Sequence, residues 1–371
     1  MKKVAIIGAG IVGATAAYYL SKEKDIAVTV FDDGFGQATK AAAGIICPWF
    51  SKRRHKAWYR LARLGADFYQ TLLSDLKRDA CKVDFYEQSG AFLLKNKAES
   101  LDELFEIGQK RKSQSPLIGH LEIQKRADLT GLLADLVGFD RCIYASGAAR
   151  VEGASLTEAL LNASHAKMVN KKVGLQVLSD GNYRVNGKKY TAVLLACGAW
   201  LPQILEPLGY KIDIRPQKGQ LRDYFFNSED TEKFPVIMPE GEVDIIPFAH
   251  GKVSVGASHE NDHGFDLQID NSVLDKMEKE AQTYFPKLKE ATSKNERVGT
   301  RAYTRDFAPF FGRVTGLANV YAASGLGSSG LTTGPLIGNQ LVKMLLDKEL
   351  DIQASDYSPN KYIVKNMNIC Q

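Results

Sequence analysis

Cysteine is scarce in this 371-residue chain: five, at 47, 81, 142, 197 and 370, odd in number, widely spaced and never in a Cys-x-x-Cys pair. That pattern excludes a disulfide framework and a zinc knuckle and points to reduced thiols, hence to a cytoplasmic protein. Charge of one sign is lacking too: 48 Lys and Arg against 43 Asp and Glu leave +5, too little to call for a polyanionic partner. The one basic run, Lys52 to Lys56, has no interleaved aromatics and no second patch beside it, which argues against nucleic-acid binding. It reads as the solvated start of a helix continuing through Trp58, Leu61, Leu64 and Phe68. Histidines 120, 165, 250, 259 and 263 are not expected to gather into a metal-binding cluster, so no metal is expected. There is no internal repeat and no low-complexity tract. One uncharged stretch has a basic start, Val4 to Leu20 behind Lys2-Lys3. It has the outline of a signal peptide or a short membrane span. No other segment is apolar for long enough to cross a bilayer.

Three glycines inside that stretch give it another meaning. Val4-Ala5-Ile6-Ile7 is the apolar run of a parallel strand buried on both faces. It leads into Gly8-Ala9-Gly10-Ile11-Val12-Gly13, then an Ala-rich helical segment, then a second strand, Ala27 to Phe31, ending in Asp32. An acidic residue about twenty positions after the third glycine completes a dinucleotide-binding fingerprint in its required strand–turn–helix–strand setting. Gly8 permits the turn, Gly10 lets a pyrophosphate approach the backbone, and Gly13 lets helix and strand pack closely. The helix N-terminus attracts phosphate, and Asp32 is placed to accept hydrogen bonds from ribose hydroxyls. The targeting reading loses to this one.

Further segments echo the theme. Ala38-Thr39-Lys40-Ala41-Ala42-Ala43-Gly44-Ile45 is a loop of small residues that leaves room for a flat ring or a phosphate. Ala192-Val193-Leu194-Leu195-Ala196-Cys197-Gly198-Ala199-Trp200 reads as another buried strand ending in a glycine turn. The strand Asn319 to Ala323 runs through Ser324-Gly325-Leu326-Gly327-Ser328-Ser329-Gly330 into a helix from Leu331 to Leu346. Together GAGIVG, ATKAAAGI, VLLACGAW, RPQKGQ (215–220), GTRAYTRDFAPFFG (299–312) and GLGSSGLTTGP (325–335) resemble, in this order, the D-amino-acid oxidase/glycine oxidase superfamily. The resemblance covers essentially the whole chain.

The resemblance implies FAD, held non-covalently. Ile11, Val12, Asp32, Asp33, Ala38 and Thr39 would hold its ADP half, with Gly8, Gly10, Gly13 and Gly198 shaping the turns. Val173 would meet adenine through its backbone, and Ala43, Gly44 and Ile45 would face the flavin. Leu326, Gly327, Ser328, Ser329, Gly330, Leu331 and Thr332 would cradle its pyrimidine end, where a helix N-terminus stabilises the negative charge of the reduced ring. Some relatives attach flavin through a cysteine near Arg301-Ala302-Tyr303; this chain has none there. The absence of a second GxGxxG mid-chain and of a Cys-x4-Cys pair argues against a disulfide reductase. Cys47 and Cys197 read as small buried hydrophobes.

On the substrate side, Arg301 matches the family's carboxylate-binding arginine, whose planar paired donors suit that group. Arg297, Arg305 and Arg313 read as solvated surface charges. Glycine oxidases carry an arginine where this chain has Ser328 and a tyrosine where it has Asp244. Both positions are candidates for substrate contact, and both departures argue against carrying glycine specificity over. Asp244 has two readings, a partner for the substrate ammonium or an exposed residue at a strand start. Lys52 and His55 are modest candidates for attracting anionic substrate or activating oxygen.

The expected fold is α/β: a Rossmann-like FAD-binding domain of residues 1–80, 143–213 and 305–371, and a discontinuous α+β substrate domain of 81–142 and 214–304 on a mostly antiparallel sheet. The expected activity is oxidation of the C–N bond of a small amino acid (glycine, an N-methyl or a D-amino acid) by hydride transfer to flavin N5, with oxygen as acceptor. A dehydrogenase passing electrons to a quinone or protein, and a non-catalytic flavin-bound subunit, stay open. The expected partner is the small-molecule substrate, and a homo-oligomer is compatible with the sequence.

Overall fold

Val4, Ala5 and Ile6 are completely buried because the strand they form, Lys2–Ile7, lies inside a six-stranded sheet. A computed structural model describes residues 1–53, 55–227 and 231–366; Arg54 and Cys370 lie outside the described residues. Across the sheet the order is Phe310–Arg313, Val320–Ser324, Ala192–Leu195, Lys2–Ile7, Ile26–Asp32 and Lys167–Asn170. All neighbours are parallel except the first pair. This is the doubly wound arrangement, with its cofactor crevice at the carboxyl ends of the strands.

The uncharged N-terminal helix, Ile11–Leu20, is buried along almost its whole length between the Gly153–Ser164 and Gly330–Leu345 helices. Burial on every side explains why it carries no charge. The fit is close at Gly13, where an added Cβ would lie 1.9 Å from the Gly8 carbonyl oxygen, and Gly8 itself has φ +105°. Those two positions therefore accept only glycine. The Gly330–Leu345 helix contains Pro335, which frees the carbonyl four residues earlier. The buried Tyr69 hydroxyl donates to that carbonyl, Leu331, at 2.8 Å. This bond ties the Lys56–Arg78 helix to the first turn of the Gly330–Leu345 helix and fixes the turn's position.

A second, eight-stranded sheet has the order Ser293–Tyr303, Arg215–Phe225, Lys252–Gly256, Asp244–Pro247, Val236–Met238, Ala91–Leu94, Arg141–Ala145, Leu121–Lys125. Its pairings are antiparallel except that of Val236–Met238 with Ala91–Leu94. The Asn271–Gln282 helix packs its apolar residues Leu274 and Met277 against one face. The other face turns toward the cofactor sheet. The two sheets are stitched along the Ser293–Tyr303 strand: the Thr300 amide donates to the Gly36 carbonyl at 2.9 Å.

Arg297 on that strand is not the solvated charge expected of it. Its guanidinium donates to Asp223 Oδ1 at 2.9 Å, to Ser254 Oγ at 3.1 Å and to the Ala42 carbonyl at 3.0 Å. Alternation along the strand turns it to the inner face, where it clamps the small-residue loop to the second sheet. Arg305 and Arg313 do lie at the surface, paired with Asp213 and Asp347.

Candidate active site

Between the sheets lies an elongated cavity of about 450 Å³. Of the residues singled out from sequence, Gly8, Gly10, Ile11, Val12, Asp32, Asp33, Ala38, Thr39, Ala43, Gly44, Ile45, Val173 and Gly198 line it, as do Leu326 through Thr332, Asp244 and Arg301. Gly13 does not; it stands behind the phosphate loop, where its missing side chain allows the contact with Gly8. Segments from both ends of the chain and from its middle thus converge on one space.

At the nucleotide end, Asp32 follows its strand and organises the loop before it. Its Oδ2 accepts the Ala9 amide at 2.6 Å, while Oδ1 accepts the Gly34 amide and the Gln37 side-chain amide, each at 2.6 Å. Thr39 Oγ1 accepts the Ile11 amide at 3.1 Å, joining the small-residue loop to the start of the first helix. Neither the Ile11–Leu20 nor the Gly330–Leu345 helix has a side-chain N-cap, and the first turns of both line the cavity. Unpaired amides at such a terminus suit an anionic ligand. Gln37 Oε1 and Thr300 Oγ1, also on the lining residues, are buried polar atoms without a protein partner among the described residues. An elongated, mostly apolar space with two uncapped helix termini and orphaned polar atoms fits a flavin dinucleotide.

Toward the middle, Cys47 and Cys197 both line the cavity, and burial pushes each thiol up to about 12. They are protonated small hydrophobes at neutral pH and poor nucleophiles. The Thr332 hydroxyl donates to the Ile45 carbonyl at 3.4 Å, joining the loop expected to face the flavin to the helix expected to cradle it.

The far end is walled by the eight-stranded sheet. Arg301 pairs in register with Gln217, whose Oε1 accepts from Arg301 Nη1 at 3.1 Å; the Ser258 carbonyl accepts from the same nitrogen at 2.7 Å. Gly219, two residues along, makes room for the guanidinium: a Cβ there would come within 2.6 Å of it. Arg301 therefore has one nitrogen committed and, among the described residues, no carboxylate within ion-pair distance. Its charge is desolvated on the cavity wall, and burial pulls the guanidinium's pKa down against the more distant pull of Glu260 and Glu242.

Asp244 opens the Asp244–Pro247 strand and is half-buried at the cavity wall, not exposed at a strand start. Desolvation lifts its carboxyl to about 7. Ser328 is exposed at the rim, where its amide donates to the Tyr303 hydroxyl at 3.0 Å. Two further residues at this end had no distinguishing signal in the sequence. His259 lies beside Glu242 at 3.6 Å, and both line the cavity. Burial and the Arg301 charge hold the imidazole below its ordinary value, so it is neutral at neutral pH. The pairing of Asp244 with Gly256 across the sheet is what brings 242 and 259 together.

A doubly wound sheet with a dinucleotide cleft, closed by a second sheet that presents an unpaired arginine to it, defines a flavin-dependent oxidoreductase. The family described as FAD dependent oxidoreductase (DAO) matches residues 3–344, and the chain belongs to that family. It is 37% identical to the uncharacterized oxidoreductase YurR of Bacillus subtilis, over 97% of this chain and 99% of that one. It is 26% identical to a glycine oxidase of Pseudomonas aeruginosa, over 96% and 98% of the two chains. Among solved structures it resembles iminodiacetate oxidase from Chelativorans sp. BNC1 with a TM-score of 0.90 and 31% identity, covering 96% of this chain and 98% of that one. FAD is the cofactor. No helix among the described residues is long and apolar enough to cross a membrane.

Proposed function

We propose that the chain oxidises the C–N bond of a small amino acid that carries a free carboxylate, with dioxygen as electron acceptor. Arg301 carries this reading: a guanidinium fixed by Gln217 and the Ser258 carbonyl, without a carboxylate of its own, on the wall facing the flavin loop. A planar, pre-oriented fork of donors binds a carboxylate in one orientation and so sets where the α-carbon sits. Bound FAD supplies the two-electron acceptor.

The protein's own contribution is positioning and electrostatics. Gln217 and Ser258 keep the arginine plane from turning, and Gly219 gives it space. Neutral His259 adds no positive charge of its own beside Arg301. The Gly330–Leu345 helix points its N-terminus into the cavity, and that positive end favours negative charge arising there. In the same reading residues 1–80, 143–213 and 305–371 make the cofactor domain and 81–142 and 214–304 the substrate domain, although the Arg141–Ala145 strand at that boundary belongs wholly to the eight-stranded sheet. Relatives named glycine oxidase and iminodiacetate oxidase support both the C–N chemistry and the oxygen acceptor. The test is anaerobic mixing of the purified yellow protein with glycine, sarcosine, proline, iminodiacetate and D-amino acids. Loss of flavin absorbance with at least one, and its return with oxygen, is expected. A protein that no carboxylate-bearing amine bleaches would sink the proposal.

A further inference from the structure

We propose that Asp244 takes the proton from the substrate's ammonium group, so that the reactive neutral amine is formed inside the cavity instead of being selected from solution. The inference rests on the C–N oxidation proposed above and adds the residue that prepares the nitrogen.

Four observations meet at this side chain. First, Asp244 faces the cavity. Its strand partner in register is Gly256, so no cross-strand side chain covers it. Second, its carboxylate has no hydrogen bond and no ion pair among the described residues. A desolvated carboxylate without a partner is costly, and a cationic ligand group relieves that cost. Third, Asp244 lies near the flavin loop, close enough to Cys47 for its charge to contribute to that thiol's elevation. Fourth, Arg301 stands on the same wall yet does not pair with it. The wall therefore holds an unpaired anion and an unpaired cation apart from one another, which is the complement of a zwitterion.

The other groups facing this end leave Asp244 as the acceptor. Glu242 is turned largely to solvent and lies beside His259. His259 is desolvated and sits within the field of Arg301, which opposes its protonation. The Cys47 thiol stays protonated. Burial has brought the Asp244 carboxyl close to neutrality in its proton affinity, the poise a proton acceptor needs. The step is balanced: one N–H bond of the ammonium breaks, one O–H bond forms on Asp244, both charges vanish, and no electron changes hands. The proton returns to water when the product leaves.

The experiment uses the FAD-loaded enzyme and its Asp244→Asn variant. Each is mixed anaerobically with the fastest-bleaching amino acid of the panel across the pH range, and the ratio of flavin-reduction rate to Kd is followed. Acetate, a carboxylate without an amine, serves as the binding control. An enzyme that must capture neutral amine from solution pays for the fraction present, about one part in a hundred at two pH units below the amine's own pKa. Asp244→Asn should therefore lose about a hundredfold at that pH. It should recover about tenfold per pH unit until the amine's pKa is reached, while FAD content and acetate affinity hold. Wild type should show an acid limb near pH 7 instead. A variant within about threefold of wild type at every pH, or one that loses acetate binding in the same proportion as rate, overturns the inference while leaving C–N oxidation standing. Bleaching of neither protein by any amine removes the function and the inference together.

Discussion

Replacing Arg297 with Ala should cost more stability than its place among three neighbouring arginines suggests. Its guanidinium is paired with Asp223, whose side chain is only 4% exposed. The carboxylate's other hydrogen bond comes from Ser254. Removing the cation leaves a buried carboxylate with a single neutral donor, and breaking a buried pair in this way costs about 3–5 kcal/mol. The same change frees the Ala42 carbonyl and loosens the loop at the flavin edge, so FAD affinity should also fall. Urea unfolding of the FAD-saturated protein, followed by circular dichroism, measures the first effect; fluorescence titration with FAD measures the second. Asp223→Ala together with Arg297→Ala should lose much less than the sum of the single losses, with a coupling of at least about 1.5 kcal/mol. A single Arg297→Ala loss below about 1 kcal/mol, or strict additivity in the double variant, would refute the clamp.

Arg301→Ala should raise KM for the amino-acid substrate by at least about thirtyfold, the equivalent of about 2 kcal/mol for a lost charge-assisted contact, with FAD retained. An unchanged KM for carboxylate substrates would contradict the site. In Gly13→Ala the new Cβ would sit 1.9 Å from the Gly8 carbonyl oxygen. Backbone cannot yield there cheaply, so the helix start must shift, at about 1–3 kcal/mol, and FAD affinity measured by titration should drop about tenfold or more. Full loading at wild-type affinity would count against the fingerprint geometry. The Asp244 carboxyl is raised by burial from 3.8 to about 7. Between those values the folded state keeps a proton that the unfolded chain has released, so stability should fall as pH rises from about 4 to about 7. The full shift corresponds to about 4 kcal/mol at 1.36 kcal/mol per unit; the side chain is only half-buried, so solvent screening leaves about 2 kcal/mol. Asp244→Asn should abolish that pH dependence in urea unfolding, and an identical slope in both proteins would refute the assigned burial.

The cofactor half was readable in the sequence because its chemistry is local. Gly8, Gly10, Gly13 and Asp32 fall at fixed spacings around one strand and one helix, and each spacing has a single physical use. The small-residue loop and the Leu326–Thr332 turn were legible for the same reason, since absent bulk marks where a ligand lies against backbone. The substrate end was only half legible. Arg301 stood in a recognisable segment, but the committed partner nitrogen depends on Gln217 across the sheet, and the room for it depends on Gly219. The Glu242 and His259 pair came from two strand ends brought together by register, which periodicity along one strand cannot show. Arg297 was misread as surface because charge near other charges usually is. Its inward face follows from an eleven-residue strand paired throughout with Arg215–Phe225. Asp244 had two readings; it faces the cavity, and the glycine opposite it, Gly256, leaves it uncovered, a cross-strand pairing that one strand's pattern does not show.

The most direct measurement is the visible spectrum of the FAD-loaded enzyme under anaerobic conditions as single amino acids are added. The account predicts that a carboxylate-bearing amine bleaches the flavin and that air restores the yellow colour with consumption of oxygen. It also predicts that Arg301→Ala needs far more substrate to do the same. A flavin that stays oxidised against every amine, or one bleached equally well in Arg301→Ala, would contradict it.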